Sequence, residues 1–315
     1  MKFPAIFCVF LFVFAFPGFS RDIETTTNLE LQASTLPEAK IGLTHAFIFP
    51  LFQGEGPLTE ENNLEIALTA EVSPLSIGAI TEITLTPIAF LQFHGGAMLA
   101  SGWNIDDLGY GLGIRQPIGT FSGDTANPRE AEVTGSALGG LVVNAFAAGT
   151  FQFDLAALFP GDWNHLVFQS RQEFRYSHFT EAASNDFWIF ENDDGENRNG
   201  WTYRSSYTLG YMMPESPILN FAGVMAEYKR PLYSNLGTYW GEDLGKWVFS
   251  SLLNFAITPN LSTILALQVL SRRNHGLTDF MDNTVYLQDL KLQNNGGNRR
   301  FLFYRAALIV TYTLK

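Results

Sequence analysis

The sequence predicts an all-β protein: a transmembrane antiparallel up-and-down β-barrel of ten strands, with twelve as the alternative count. Three observations carry this. Apolar and polar residues alternate with a period of two along several segments. Those segments are joined by long and short connections in turn, and an apolar leader opens the chain. Composition agrees. Charged residues make up 16% of the 315, against roughly a quarter in soluble domains, while 46% are hydrophobic and 14% aromatic. A net charge of −12 argues against nucleic acid as a partner, because that contact needs a basic face. The single cysteine, Cys8, excludes a disulfide framework within one chain.

In chain order, Lys2 supplies a positive start and residues 3–16 an uncharged apolar run. Gly18 and Ser20 then fill the small-residue positions of a cleavage site, so residues 1–20 read as a signal peptide that carries Cys8 away with it. Residues 21–38 form a periplasmic lead-in or an extra strand, with 28–33 as its candidate segment. Residues 39–315 form the barrel as one domain. Within it, residues 63–72 place Leu64, Ile66, Leu68, Ala70 and Val72 on one face. Residues 201–213 place Trp201, Tyr203, Tyr207, Leu209 and Tyr211 on one face, opposite Thr202, Arg204, Ser206 and Thr208. The C-terminal run puts Leu302, Tyr304, Ala306, Leu308, Val310, Tyr312 and Leu314 together. Period two means strand, since successive side chains point to opposite faces.

Long connections cover residues 52–62, 102–135, 181–200, 232–245 and 276–298. Short ones cover 73–75, 160–163, 214–217 and 258–260, and each holds proline: Pro74, Pro160, Pro214 with Pro217, and Pro259. Proline presets φ for a turn and removes a ladder donor. Long loops on one side and tight turns on the other, with both termini on the turn side, is the layout of a membrane barrel. Segments 76–101 and 136–159 exceed the roughly 9–11 residues that cross a bilayer. They either project beyond it or break, at Gly95–Gly96 and near Gly149, which gives twelve strands.

Two other folds compete. Residues 83–105, 133–153 and 247–271 lack charge for long enough to span as helices, but Pro87, Gly95 and Gly96 interrupt the first, and Pro259 and Asn260 split the third into two halves that alternate with a period of two. A soluble sandwich would share the alternation but not the low charge or the leader. In lipid only helices and closed barrels satisfy the backbone, so apolar faces point out and polar faces in. Trp103, Trp163, Trp201, Trp240 and Trp247, with Tyr312, are the interfacial aromatic candidates, and Trp188 also falls near a predicted strand end.

The leader, the alternation, the loop rhythm and the amphipathic last strand, residues 301–315, together resemble the outer-membrane β-barrel proteins of diderm bacteria. That class usually ends in an aromatic residue; here the chain ends Tyr312-Thr313-Leu314-Lys315. The resemblance implies location in the cell outer membrane after export. It implies outer-membrane lipid as the surroundings and the barrel-insertion machinery as an assembly partner.

The five histidines show no metalloprotease spacing, and no nucleophile elbow or phosphate loop occurs. The expectation is a protein that is not an enzyme and has no cofactor and no metal. Asp106, Asp107, Asp162 and His165 are the candidates for a rim-located hydrolase. The acidic run 192–197 departs from calcium-loop spacing and reads as a solvated loop. The lumen holds the remaining chemistry: Arg171, Glu173 and Arg175 on one strand, Arg204 on the next, Glu227 and Lys229 on the one after. The function expected is a narrow porin-like channel for small solutes. The alternatives are a non-conducting structural or surface-binding barrel, with an extracellular ligand at the long loops, and the rim hydrolase.

Overall fold

The computed structural model describes residues 23–36, 38–105, 110–116, 132–159, 161, 165–183, 186–191, 193, 197–213, 216, 218–232, 245–273 and 299–314. The strands are β1 (Glu24–Ser34), β2 (Glu38–Pro50), β3 (Asn63–Val72), β4 (Ser76–Ile88), β5 (Leu91–Gly102), β6 (Asn104–Ile105), β7 (Tyr110–Gln116) and β8 (Glu132–Thr134). They continue with β9 (Val142–Asp154), β10 (Leu166–Phe179), β11 (Phe187–Glu191), β12 (Gly200–Met212), β13 (Leu219–Pro231), β14 (Lys246–Thr258), β15 (Leu261–Arg273) and β16 (Arg299–Leu314). Twelve of them close one barrel, in the order β1-β16-β15-β14-β13-β12-β10-β9-β5-β4-β3-β2. The other four, β6, β7, β8 and β11, pair in a small second sheet.

The first and last strands make the closure. Leu29 pairs with Tyr312, Leu31 with Val310 and Ala33 with Leu308, while the other edge of β1 pairs with β2. A closed sheet leaves no edge, which is the condition for strands in hydrocarbon. Most barrel strands are 13 residues long. At about 3.3 Å per residue and a tilt of about 40°, that spans roughly 30 Å, the thickness of a bilayer's apolar core.

The barrel therefore has twelve strands and not ten, and the count is reached by an unexpected route. Residues 24–34 are a full strand. Segment 76–101 turns back at Ala89 and Phe90, where Ile88 faces Leu91, and not at Gly95–Gly96. Those glycines lie mid-strand in β5, opposite Ile83 and Glu82. Nor does Gly149 break a strand, since it pairs with both Phe93 and Gln172. β9 simply begins late, at Val142, and ends in a 3-10 turn (Leu155–Ala157) capped by the Asp154 carboxylate, which accepts from Ala156 N at 2.9 Å.

The extra turn has a consequence for orientation. Each reversal exchanges ends, so the hairpin at 89–90 inverts everything before it. The 51–62 connection thus joins the short turns at the end that holds both termini. The 73–75 turn moves to the opposite end, with the long connections after β5 and β10. β1 restores the N-terminus to the terminal end.

The faces follow the period-two reading over most strands. Leu68, Val72, Trp201, Tyr207, Leu209, Val224 and Leu308 are exposed to the outside, while Glu173, Thr150 and Thr202 are buried. β16 departs from it. Gln268 faces Arg305 and Val269 faces Phe303, so Tyr304 is bulged out of register. A bulge swaps the faces beyond it. Phe301 and Phe303, 62% and 65% exposed, take the outward positions there, and Leu302 does not.

Candidate functional site

The site is the lumen at the end opposite the termini, together with the small sheet that covers it. In an antiparallel pair, residues directly opposite share a face. Arg175 is paired with Phe146 and Thr202, Glu173 with Ala148 and Arg204, and Arg171 with Thr150 and Ser206, so all three project inward. Arg204 is in turn opposite Lys229, Lys229 opposite Lys246, and Ser206 opposite Glu227. The six residues expected in the lumen, Arg171, Glu173, Arg175, Arg204, Glu227 and Lys229, line one cavity of about 350 Å³. Lys246, Gln268, Tyr304, Arg305, Asp193 and Asn197 join them there.

Ion pairs organise this wall. Glu173 accepts from Arg171 Nη2 at 3.2 Å and from Arg175 Nε at 2.7 Å. Both guanidiniums lie over the Phe146 ring, at 5.7 and 4.9 Å from its centroid, a cation–π arrangement. Phe146 can lie there because Gly96 has no side chain; a Cβ on Gly96 would meet the ring at 2.6 Å and Thr81 O at 2.7 Å. Further round, Arg305 Nη1 reaches Glu38 at 2.6 Å, Arg305 Nε donates to Gln268, and Gln268 donates to Ser250 at 2.9 Å. Arg204 Nε is buried with no hydrogen-bond partner.

Charge is segregated across the lumen. Inward positions of β1 to β4 carry Glu24, Glu30, Glu38, Glu65, Glu71 and Glu82 with Lys40, whereas those of β10 to β16 carry mostly cations, Arg171, Arg175, Arg204, Lys229, Lys246 and Arg305, with Glu173 and Glu227. On the β4–β5–β9 wall, His94 bridges Thr84, at 3.1 Å, and Thr150, at 3.0 Å, with Glu82 at 3.3 Å.

The second sheet forms a cap that shares an apolar core with the barrel: Leu112, Ala182 and Trp188 pack with Ala100, Val142 and Phe179 of the wall. Gly111 is at φ +117, and a Cβ there would lie 2.0 Å from Trp103 O, so the close pairing of β7 with β6 requires glycine at this position. Asn199 ties the return of the second long connection. It donates to Phe179 O and Ala182 O and accepts from the Phe179 amide and the Trp188 indole. Glu191 reaches across the lumen to Lys40, at 3.0 Å, and accepts from the Ser76 hydroxyl. Asp193, two residues on, accepts from Asn197 and stands in the cation-lined cavity.

The aromatic candidates divide. Trp201 is 51% exposed and meets Tyr176 at 5.4 Å; Trp247 meets Tyr228 at 4.8 Å. They belong to a run of rings, Phe174, Tyr203, Tyr228, Trp247, Phe249 and Phe301, that crosses the cap end of the outer face from β10 to β16, about half of the barrel's circumference. Of this run, Trp201 and Trp247 are among the candidates the sequence offers; the tyrosines and phenylalanines that join them are common residues in any strand and carry no comparable signal. Tyr312 is exposed near the terminal end. Trp103 lies where β5 leaves the barrel, its amide donating to Leu75 O and its carbonyl accepting from Leu112. Trp188 is buried in the cap core and is not interfacial. Trp163 and Trp240 lie outside the described residues, as do Asp106, Asp107, Asp162, residues 1–20 and most of the acidic run 192–197. His165, the described member of the hydrolase set, sits 3.1 Å from Asp154 at the terminal end, where Asp154 also caps the 3-10 turn.

No family model matches the chain, and no curated protein matches it. Among solved structures it is similar to the KdgM porin, at 9% identity and a TM-score of 0.41 over 92% of this chain and 99% of that one. It is similar to the NanC porin at 8% identity and 0.39, over 92% and 98%. It is also similar to outer-membrane expressed OmpT of Vibrio cholerae at 8% and 0.37, over 93% and 97%.

Proposed function

We propose that the chain is a narrow, porin-like channel for small solutes, placed in the outer membrane of a diderm bacterium. The observation that carries this reading is the lumen: charged and polar side chains line a cavity inside a barrel whose outer face is apolar. Eight strands fill with side chains and 16–18 leave a wide pore. Twelve stand between, so a polar cavity constricted by a folded-in loop suits a narrow path. The cap supports the same reading, because Glu191 and Asp193 narrow the mouth from above without filling the cavity below.

A second reading, a non-conducting barrel that presents the cap to an external ligand, is favoured by one feature. The cap is packed firmly against the barrel wall through Trp188 and Leu112, as a rigid binding surface would be. Planar-bilayer recording on refolded protein separates the two. The channel reading predicts discrete conductance steps in potassium chloride. Silent bilayers in the presence of correctly folded protein would leave the binding reading standing.

A further inference from the structure

Rings mark the two membrane levels of the outer face unevenly. Toward the terminal end they stand on six strands spread round the barrel: Phe47, Phe93, Phe151, Phe168, Phe255 and Tyr312. At the cap end they run from β10 to β16 and stop. Among the described residues, the other six strands, contiguous from β9 to β1, turn aliphatic side chains outward there: Val143, Leu99, Ile77, Val72, Ile41 and Leu31. Trp103 follows only after β5 has left the barrel. Lipid-facing barrels carry aromatic girdles at both levels, so this half of the wall is not furnished for headgroups at the cap end.

Two glycines lie on the same wall without a reason inside their own chain. Gly149 pairs in register with Phe93 and Gln172, and a Cβ on it would have nothing within 4 Å. A Cβ on Gly95 would meet only Phe146 O within that distance, at 3.9 Å. A glycine inside a strand weakens it, and marks a bulge, a bend or the close approach of another backbone. Neither position is a bulge. With Ala97, Ala145 and Ala147 they form a field of small residues on β5 and β9, flanked by Ile83 of β4 and Phe174 of β10. Small residues at the crest of a convex wall and large ones on its flanks make that wall flat.

We propose that this flat wall, formed by β4, β5, β9 and β10, is the contact with a second copy of the chain, packed side by side about a two-fold axis normal to the membrane. Such an axis brings one surface onto itself, so the field of small residues meets its own counterpart and the two backbones approach closely. A strip four strands wide, at about 4.8 Å per strand, and about 30 Å tall covers roughly 600 Å² on each copy, at the lower edge of what stable interfaces bury. Short turns, 35–37 and 73–75, join β1 to β2 and β3 to β4 at the cap end, so a neighbour meets a low rim on that side. Lipid tails adapt to any wall and need no flat one. The contact holds whether or not the barrel conducts.

Cys8 is the sole cysteine, so the barrel refolded without residues 1–20 has none, and single cysteines report the contact cleanly. Oxidation with copper phenanthroline in liposomes is expected to convert most of Ala147→Cys, an exposed position of β9, into a disulfide-linked dimer. Leu267→Cys, exposed on β15 across the barrel from β5, is expected to stay monomeric. Ala147→Trp is expected to abolish the dimer seen by native mass spectrometry while the folded band keeps its electrophoretic shift on heating. No cross-link from cysteine at 97, 147 or 149 would overturn the proposal and leave lipid alone on this wall. Equal cross-linking at 267, which reports random collision, would overturn it too, as would a dimer that survives Ala147→Trp.

Discussion

Glu191 Oε1 lies 3.0 Å from Lys40 Nζ, so a residue at the end of β11 in the cap is bound to the inner wall of β2, on the far side of the lumen from the strand that carries the loop. Lys40 also contacts Glu71 at 3.5 Å, and the Ser76 hydroxyl donates to the same Glu191 oxygen. The latch is thus one lysine shared by two carboxylates, all three largely shielded from solvent.

Removing the lysine leaves two carboxylates facing each other with no cation between them. Lys40→Met is expected to weaken docking of the cap by about 1–3 kcal/mol while the barrel stays folded. Hydrogen exchange at residues 187–191 should then accelerate, and single-channel conductance should rise. Unchanged exchange at these amides would mean that the cap is held by its apolar core alone.

Gly96 makes a sharper steric prediction. Its hydrogen faces the Phe146 ring and Thr81 O, both closer than a methyl group tolerates. Gly96→Ala is expected to cost about 1–3 kcal/mol as an overpacked site and to displace Phe146 from beneath Arg171 and Arg175. The denaturant midpoint of the folded barrel reads this. The double variant Gly96→Ala with Phe146→Leu should recover part of the loss.

The first strand is the least expected part of the barrel and the easiest to delete. Without residues 23–34, β2 and β16 become open edges, whose unpaired amides are costly in lipid. Such a variant should give no folded species by its electrophoretic shift on heating. A normal folded band would mean that β2 and β16 close the barrel by themselves.

The sequence made strand identity and facing legible wherever alternation ran unbroken, as in residues 63–72 and 201–212. It was less legible at three places, each for a physical reason. The turn at Ala89 and Phe90 carries no glycine, and the paired glycines a few residues on point to a break at Gly95–Gly96, where Gly96 instead makes room for the Phe146 ring. The bulge at Tyr304 shifts the pattern by one residue without changing composition. Residues 24–34 mix threonines and glutamates with few apolar residues, so β1 is defined by its partners β2 and β16 more than by its own pattern. The lumen charges were legible because Arg171, Glu173 and Arg175 recur at every second residue, and Arg204 falls on the face opposite Tyr203 and Tyr207. The cap was not, since β6, β7, β8 and β11 are short pieces whose pairing spans two separate connections.

The account depends on which way the two faces of each strand point. A nitroxide scan along residues 222–228 of β13, in lipid bilayers, tests it most directly through the competing accessibilities of oxygen and a water-soluble nickel chelate. Labels at positions 222, 224, 226 and 228 should favour oxygen, and those at 223, 225 and 227 the chelate, in strict alternation. The opposite phase, or labels that favour neither reagent at one set of positions because they lie in a dry interior, would contradict a barrel with its apolar face toward lipid.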